Sequence, residues 1–138
     1  LDGKFLATNA DDIHLKKDII SCLGHQWALA VMRLPNIDKG SEVRVDAKGN
    51  ITEIVESDMH KGGPGLGGTG LYVLDSRIFK IDPVQLEGRT EVGLPQTMLE
   101  AAKTFNIPMT AIEISSWVHI TSPEDLVGAE KQLGVKTA

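Results

Sequence analysis

Two consecutive carboxylates, Asp11 and Asp12, follow a short apolar run that begins at Phe5. In an open α/β sheet, ligands bind beyond the carboxyl ends of the strands. A carboxylate at that point can hold a hard cation such as Mg²⁺ against a phosphate. The alternative is that Asp11 or Asp12 caps the following helix, because Asp is a favoured N-cap residue. The spacing alone favours the helix cap.

The Gly-rich stretch 65–70, GLGGTG, has the formal pattern G-x-G-x-x-G. A dinucleotide fingerprint must follow a strand and open a helix, because the helix N-terminus holds the pyrophosphate. A strand is predicted after this stretch instead, so we reject dinucleotide binding. The stretch also lacks the Gly-Lys-Ser/Thr ending of a P-loop. The four histidines are scattered, and a structural or solvated role is favoured for each.

Hydrophobic periodicity predicts an α/β fold with a mixed sheet flanked by helices. The predicted strands cover 4–9, 26–34, 42–46, 51–56, 69–74 and 109–114. The predicted helices cover 13–23, 94–105 and 123–133, and a Gly-rich loop covers 57–68. The run 26–34 is almost entirely apolar, as expected of a strand that is buried on both faces. Gly49 is expected at a positive φ in a hairpin turn.

The composition limits the classes of protein and partner. The 138 residues suit one domain, and 41% hydrophobic residues are enough for a folded core. The net charge of -5 argues against nucleic-acid and anionic-membrane partners. Cys22 is the one cysteine, which excludes an internal disulfide and predicts a reducing, cytoplasmic location. Cys22 itself is predicted to be a small core residue. A first residue of Leu1 rather than Met suggests a fragment.

Four stretches, in their order and spacing, resemble the sugar-phosphate nucleotidyltransferases, also called nucleotide-sugar pyrophosphorylases. They are 5–13 with Asp11, 45–56 with Glu56, 69–73 with Thr69-Gly70, and 117–126 with Trp117 and His119. The resemblance covers nearly the whole chain but only the later part of that family's catalytic domain. It implies that residues 1–138 form a partial, Rossmann-like nucleotidyltransferase domain.

The resemblance also implies a reaction and roles for individual residues. A sugar-1-phosphate oxygen would attack the α-phosphorus of a nucleoside triphosphate and release pyrophosphate, with Mg²⁺ as the cofactor. Asp11 would be the catalytic metal ligand, and position 119 would supply the second ligand. Glu56, Thr69, Gly70 and Trp117 would line the sugar-phosphate site, although a core position is the alternative for Trp117.

Several departures from the family pattern predict weak or absent Mg²⁺ binding and no activity for this chain alone. The family's N-terminal Gly-rich signature, which grips the triphosphate, has no counterpart in the sequence. Ser57 stands where the family has a Lys that contacts phosphate. His119 stands where the family has a second metal-binding Asp, and Mg²⁺ prefers oxygen ligands. The alternative function is a catalytically silent module that binds a sugar phosphate or a protein.

The first strand is expected to lack a neighbour that the family supplies from its earlier part. Its backbone would be a bare sheet edge, with Lys4 as the one charge in the run 4–8. The sequence therefore predicts a homo-oligomer formed through this edge, or association with a missing N-terminal half.

Overall fold

The computed structural model describes residues 3–134, which contain both strands and helices. In order they are β1 (Lys4–Thr8), β2 (Asp12–His14), α1 (Lys16–Leu23), β3 (Trp27–Leu34), β4 (Glu42–Val45), β5 (Ile51–Val55), β6 (Gly65–Asp75), a 3-10 helix (Ser76–Lys80), α2 (Leu94–Thr104), β7 (Met109–Glu113), β8 (Trp117–His119) and α3 (Pro123–Leu133). None of the helices in this described range is long and apolar enough to cross a membrane.

Six of the described strands form one mixed sheet, which confirms the predicted α/β fold class. The strand order is β5-β4-β6-β3-β7, and β1 also pairs with β6. Only the β3–β7 pair of these is parallel. Because β3 runs along most of β6, the strands β4 and β1 share the opposite edge of β6. The second described sheet pairs β2 with β8.

The strand β3 is buried on both faces, as its apolar run predicted. Trp27, Leu29 and Val31 point into a core cluster that includes Met98 of α2. The alternate residues Ala28 and Ala30 point to the opposite face, where they pack with Cys22 of α1. The two-residue period of a strand therefore divides one apolar run between two cores. Cys22 is a core residue as predicted, and burial raises the pKa of its thiol to about 11.

Two elements differ from the sequence prediction in ways that have clear physical reasons. The helix expected from residue 13 begins at Lys16, because Ile13 is paired with Val118 in the small sheet. The loop expected over 57–68 ends earlier, because β6 already begins at Gly65. Glycines carry no side chain that could show strand alternation, yet this segment pairs with both β3 and β4. Gly49 does adopt the expected positive φ, +82°.

The carboxylate of Asp75 joins the end of β6 to the core and to the 3-10 helix. Oδ2 accepts a hydrogen bond of 3.0 Å from the indole of Trp27. Arg77 donates from its backbone nitrogen and from two guanidinium nitrogens, at 2.6 to 3.0 Å. The Asp75 side chain is only 15% exposed. The Arg77 guanidinium is the main reason that the pKa of Asp75 lies well below its ordinary value.

We predict that Asp75→Asn destabilises the protein more at neutral pH than in acid. A carboxyl group whose folded-state pKa is depressed stabilises the fold above its unfolded pKa of about 3.9. That contribution is lost as the pH falls through the folded-state pKa, so the wild type should approach the variant in acid. Urea unfolding between pH 7 and about pH 2 measures both proteins. The exposed Asp38 gives a matched control, Asp38→Asn. A difference between wild type and Asp75→Asn that does not change with pH would contradict this explanation.

Candidate functional site

The turn between β1 and β2 places the two consecutive carboxylates beside a distant part of the chain. Asn9 donates its backbone N–H to the carbonyl of Gly70 at 3.0 Å, which fixes the end of β1 against β6. In the small sheet, Asp12 lies directly opposite His119. The helix-cap interpretation of Asp11 and Asp12 is wrong, because the N-cap residue of α1 is Leu15, without a side-chain cap bond.

Asp12 is the buried member of the carboxylate pair and is bound from three sides. Its Oδ1 accepts hydrogen bonds from Trp117 Nε1 at 2.7 Å and from His119 Nδ1 at 2.8 Å. Its Oδ2 accepts one from Asn9 Nδ2 at 2.9 Å. The Asp12 side chain is 2% exposed, whereas the side chain of Asp11 is 53% exposed. The two carboxylates therefore have different environments despite being adjacent in sequence.

Asp11, Asp12 and His119 form a cluster of potential metal ligands. One ligand atom from each lies within 4.8 Å of the others. The Oδ2 atom of Asp11 is 3.9 Å from Nδ1 of His119. The structure thus brings together Asp11 and His119, which the sequence predicted as ligands, and it places Asp12 beside them.

A cleft of about 340 Å³ lies next to this cluster. Among its lining residues are Thr69, Gly70, Trp117 and His119, all predicted from the sequence, together with Lys39 and Tyr72. Asp11 does not line the cleft, although it lies close to His119, which does. Lys39 is the one Lys or Arg among the described lining residues. It supplies a positive charge at the cleft wall.

Thr69 and Gly70 shape the wall of the cleft in different ways. The Thr69 hydroxyl is fully buried and donates to the carbonyl of Ala30 at 3.0 Å. His14 Nε2 donates to the Thr69 carbonyl at 2.9 Å and lies 3.2 Å from the hydroxyl. Gly70 has a φ of +73°, and a β-carbon there would collide with the side chains of Asn9 and Asp12. Thr69 therefore anchors the wall, and Gly70 leaves room for the carboxylate cluster.

Glu56 does not lie in the cleft with the other predicted residues. It lines a neighbouring cleft of about 230 Å³, together with Arg89 and Gln96. Gln96 Nε2 donates to a carboxylate oxygen of Glu56. Tyr72 lines the cleft that contains Lys39 and not the one that contains Glu56. Burial, followed by the negative charges of Asp12 and Glu56, raises the pKa of Tyr72 to about 12. Its phenol is therefore neutral at ordinary pH.

Sequence reasoning missed the importance of Asp12, Tyr72 and Lys39. Tyr72 lay in a stretch that resembles the family, next to the predicted Thr69-Gly70, so the motif itself was the available signal. For Asp12 the available signal was that it is the second of two adjacent carboxylates. Its partner His119 lies 107 residues further along the chain, and the pairing of β2 with β8 brings the two together. Lys39 carried no signal in the sequence.

No family model matches the chain. The bifunctional IPC transferase and DIPP synthase of Aquifex aeolicus (strain VF5) is 39% identical over 70 residues, which are 51% of this chain and 15% of that protein. A putative glucose-1-phosphate thymidylyltransferase from Bacillus anthracis superposes with a TM-score of 0.70 at 16% identity, over 99% of this chain and 57% of that chain. The inositol-1-phosphate CTP transferase from T. maritima gives a TM-score of 0.67 at 15% identity, over 100% and 59%.

These comparisons confirm the resemblance that the motifs predicted. The chain has the fold of the sugar-phosphate nucleotidyltransferases. It spans somewhat more than half of the solved chains and a much smaller share of the Aquifex protein.

We predict that Gly70→Ala destabilises the protein more than Gly49→Ala does. Both glycines have a positive φ, which costs an L-residue about 1–2 kcal/mol. A β-carbon at Gly49 would meet nothing within 4 Å, whereas one at Gly70 would collide with Asn9 and Asp12. Gly49→Ala thus controls for backbone strain, and the excess loss in Gly70→Ala reports the collision. Urea unfolding measures the two free energies of unfolding. Equal losses would show that the Asn9 and Asp12 side chains move aside at no cost.

Proposed function

We propose that this chain forms the sugar-phosphate-binding and metal-binding part of a nucleotidyltransferase. The reaction would join a sugar-1-phosphate to a nucleoside triphosphate and release pyrophosphate. The observation that supports this most strongly is the proximity of Asp11 to His119, which lines one cleft together with Trp117 and Gly70, in a chain with this fold. Two proteins with a similar fold, a putative glucose-1-phosphate thymidylyltransferase and an inositol-1-phosphate CTP transferase, support the same reaction class.

In the proposed reaction an oxygen of the sugar-1-phosphate attacks the α-phosphorus, and the bond from that phosphorus to the pyrophosphate leaving group breaks. The chain's contribution is to position the sugar phosphate and to balance its charge. Lys39 would face the phosphate as a counter-charge. Glu56 would accept hydrogen bonds from sugar hydroxyls in the neighbouring cleft.

A divalent cation would be held by Asp11 and His119, and when bound it would neutralise charge that develops on the phosphates. The exposed carboxylate of Asp11 fits a hard cation. An imidazole in the ligand set fits Mn²⁺ or Zn²⁺ better than Mg²⁺, because Mg²⁺ prefers oxygen donors. The donor set therefore supports a transition-metal site with weak Mg²⁺ affinity.

The chain by itself is expected to bind sugar-1-phosphates without making nucleotide sugars. Calorimetric titration with glucose-1-phosphate in the presence of Mn²⁺ should show binding, and Lys39→Gln should weaken it by up to about fivefold, since an exposed charge pair contributes up to about 1 kcal/mol. Lys103→Gln, an exposed cation outside the cleft, is the matched control. A pyrophosphate assay with each nucleoside triphosphate should stay at background.

Two results would separate the parts of this proposal. Absence of sugar-phosphate binding by the wild type would reject the proposed site. Pyrophosphate release that Asp11→Ala abolishes would reject the expected inactivity and favour a complete enzyme. Binding without release is the outcome that the silent-module alternative shares with a partial enzyme. Adding a chain that supplies the triphosphate-binding part distinguishes them, because only the partial enzyme then gains turnover.

We further propose that the chain self-associates through the free edge of β1. One edge of β1 pairs with β6, and the other pairs with no strand within residues 3–134. The ammonium of Lys4 donates to the carbonyls of Leu23 and His25, so its charge is directed to the end of α1 rather than along the edge. Phe79, stacked on Phe5 at 6.0 Å, is 67% exposed beside this strand. An unpaired edge of this kind is a template for another strand.

Light scattering after size exclusion should therefore show a dimer, or a larger closed assembly, at micromolar concentration. A partner chain that supplies the neighbouring strand should dissociate it. A stable monomer with slow amide exchange at Leu6 and Thr8 would contradict the prediction, because it would mean that the edge is already covered.

A further inference from the structure

The carboxylate of Asp12 is placed differently from that of a metal ligand. Its two oxygens accept three hydrogen bonds, and its side chain is almost completely buried. Asp11, by contrast, is half-exposed and free to face a ligand. The cluster thus holds one carboxylate that is available to a cation and one that is committed to neighbouring side chains.

The hydrogen bond between Asp12 and His119 decides where the imidazole carries its proton. An ionised carboxylate only accepts hydrogen bonds, so Nδ1 of His119 must be the N–H donor at 2.8 Å. A neutral imidazole protonated at Nδ1 has its lone pair on Nε2. The pairing of Asp12 opposite His119 in the small sheet fixes this arrangement through the backbone.

Trp117 also holds the carboxylate of Asp12 in place. Its indole N–H binds the same Oδ1 atom that accepts from His119. The rings of Trp117 and His119 lie 5.8 Å apart at an angle of 32°. A carboxylate held by an indole and an amide cannot turn away from the imidazole without breaking those bonds.

We propose that Asp12 is a positioning residue that holds His119 as the Nδ1–H tautomer. Nε2 is then the imidazole atom whose lone pair is available to a divalent cation of borderline softness, such as Zn²⁺ or Co²⁺. This consequence rests on the proposed function, in which Asp11 and His119 hold the cation. A histidine that ligates a metal commonly donates its other N–H to a carboxylate, which fixes the tautomer and raises ligand basicity.

The tautomer is measured by ¹H–¹⁵N long-range correlation of the imidazole in the cation-free protein. The expected result is Nδ1–H in the wild type and loss of that preference in Asp12→Ala. Asp82→Ala, which removes an exposed carboxylate that does not line the cleft, is the matched control. An Nε2–H tautomer in the wild type would overturn the proposal, whether or not Asp12→Ala folds.

Calorimetric titration with Zn²⁺, Co²⁺ and Mg²⁺ tests the consequence for the ligand. Loss of a carboxylate that orients a metal-bound histidine typically weakens affinity by about 10–100-fold. We expect a loss of that size for Zn²⁺ and Co²⁺ in Asp12→Ala and a smaller loss for Mg²⁺. His119→Asp should strengthen Mg²⁺ binding, because it adds an oxygen ligand.

The outcomes separate this proposal from the proposed function. Equal losses of affinity for all three cations in Asp12→Ala would mean that Asp12 attracts cations by its charge without orienting His119. That result would overturn the positioning role. An Nδ1–H tautomer in a wild type that binds no cation would support the positioning role and reject the cation site of the proposed function.

Discussion

The strand β6 is the constraint on which the rest of the described structure depends. It is hydrogen-bonded on both edges, to β3 along one and to β4 and β1 along the other. Because its two ends are fixed in this way, the residues between them cannot shift in register. Thr69 and Gly70 lie at the middle of this strand, and the turn after β1 is tied to the carbonyl of Gly70. Thr69 and Gly70 themselves lie at an irregularity of the β3–β6 pairing, between the pairs Leu29–Tyr72 and Val31–Gly68. They are held there by the bond from the Thr69 hydroxyl to Ala30 and by the bond from Asn9 to Gly70.

Two carboxylates with little solvent exposure lie along this strand, one at its end and one beside its middle. At Asp75 a carboxylate binds Trp27 of the core and the guanidinium of Arg77. Near Gly70 the carboxylate of Asp12 binds Trp117 and His119. A buried charge is tolerated only when hydrogen bonds replace its lost hydration, and both sites meet this requirement with an indole N–H and a cationic or polar partner. The first site stabilises the sheet, whereas the second orients the groups that face a ligand.

Elements with strong local signals could be predicted from the sequence. The run 27–32 is apolar throughout, and alternate residues of it enter two different cores. The start of α3 was predicted from Ser122 as N-cap, Pro123 in the first turn and the two carboxylates that follow. In the structure α3 begins at Pro123, and Asp125 accepts hydrogen bonds from the N–H groups of Thr121 and Ser122. The metal-ligand pair of Asp11 and His119 came from a family resemblance, and the structure does place the two side chains near each other.

The small sheet could not be predicted, because each of its strands has only three residues. Three residues show no useful periodicity, and their pairing is set by the tertiary structure rather than by local preference. For this reason the pairing of Asp12 with His119 could not be predicted, and Asp12 was interpreted as a helix cap. The strand character of 65–68 was hidden for a different reason, since three of these four residues are glycines.

The separation of Glu56 from the other predicted residues has an electrostatic consequence for a site that would accept a phosphate. Asp12 and Glu56 both raise the pKa of Tyr72, so its phenol lies within the field of two carboxylates. If the phenol ionised, a third negative charge would stand at the wall of the cleft that contains Lys39 and would repel an anionic ligand. Burial opposes that ionisation and is the largest cause of the raised pKa. In the proposed function Tyr72 therefore offers a neutral O–H group to a phosphate in this cleft, beside Lys39.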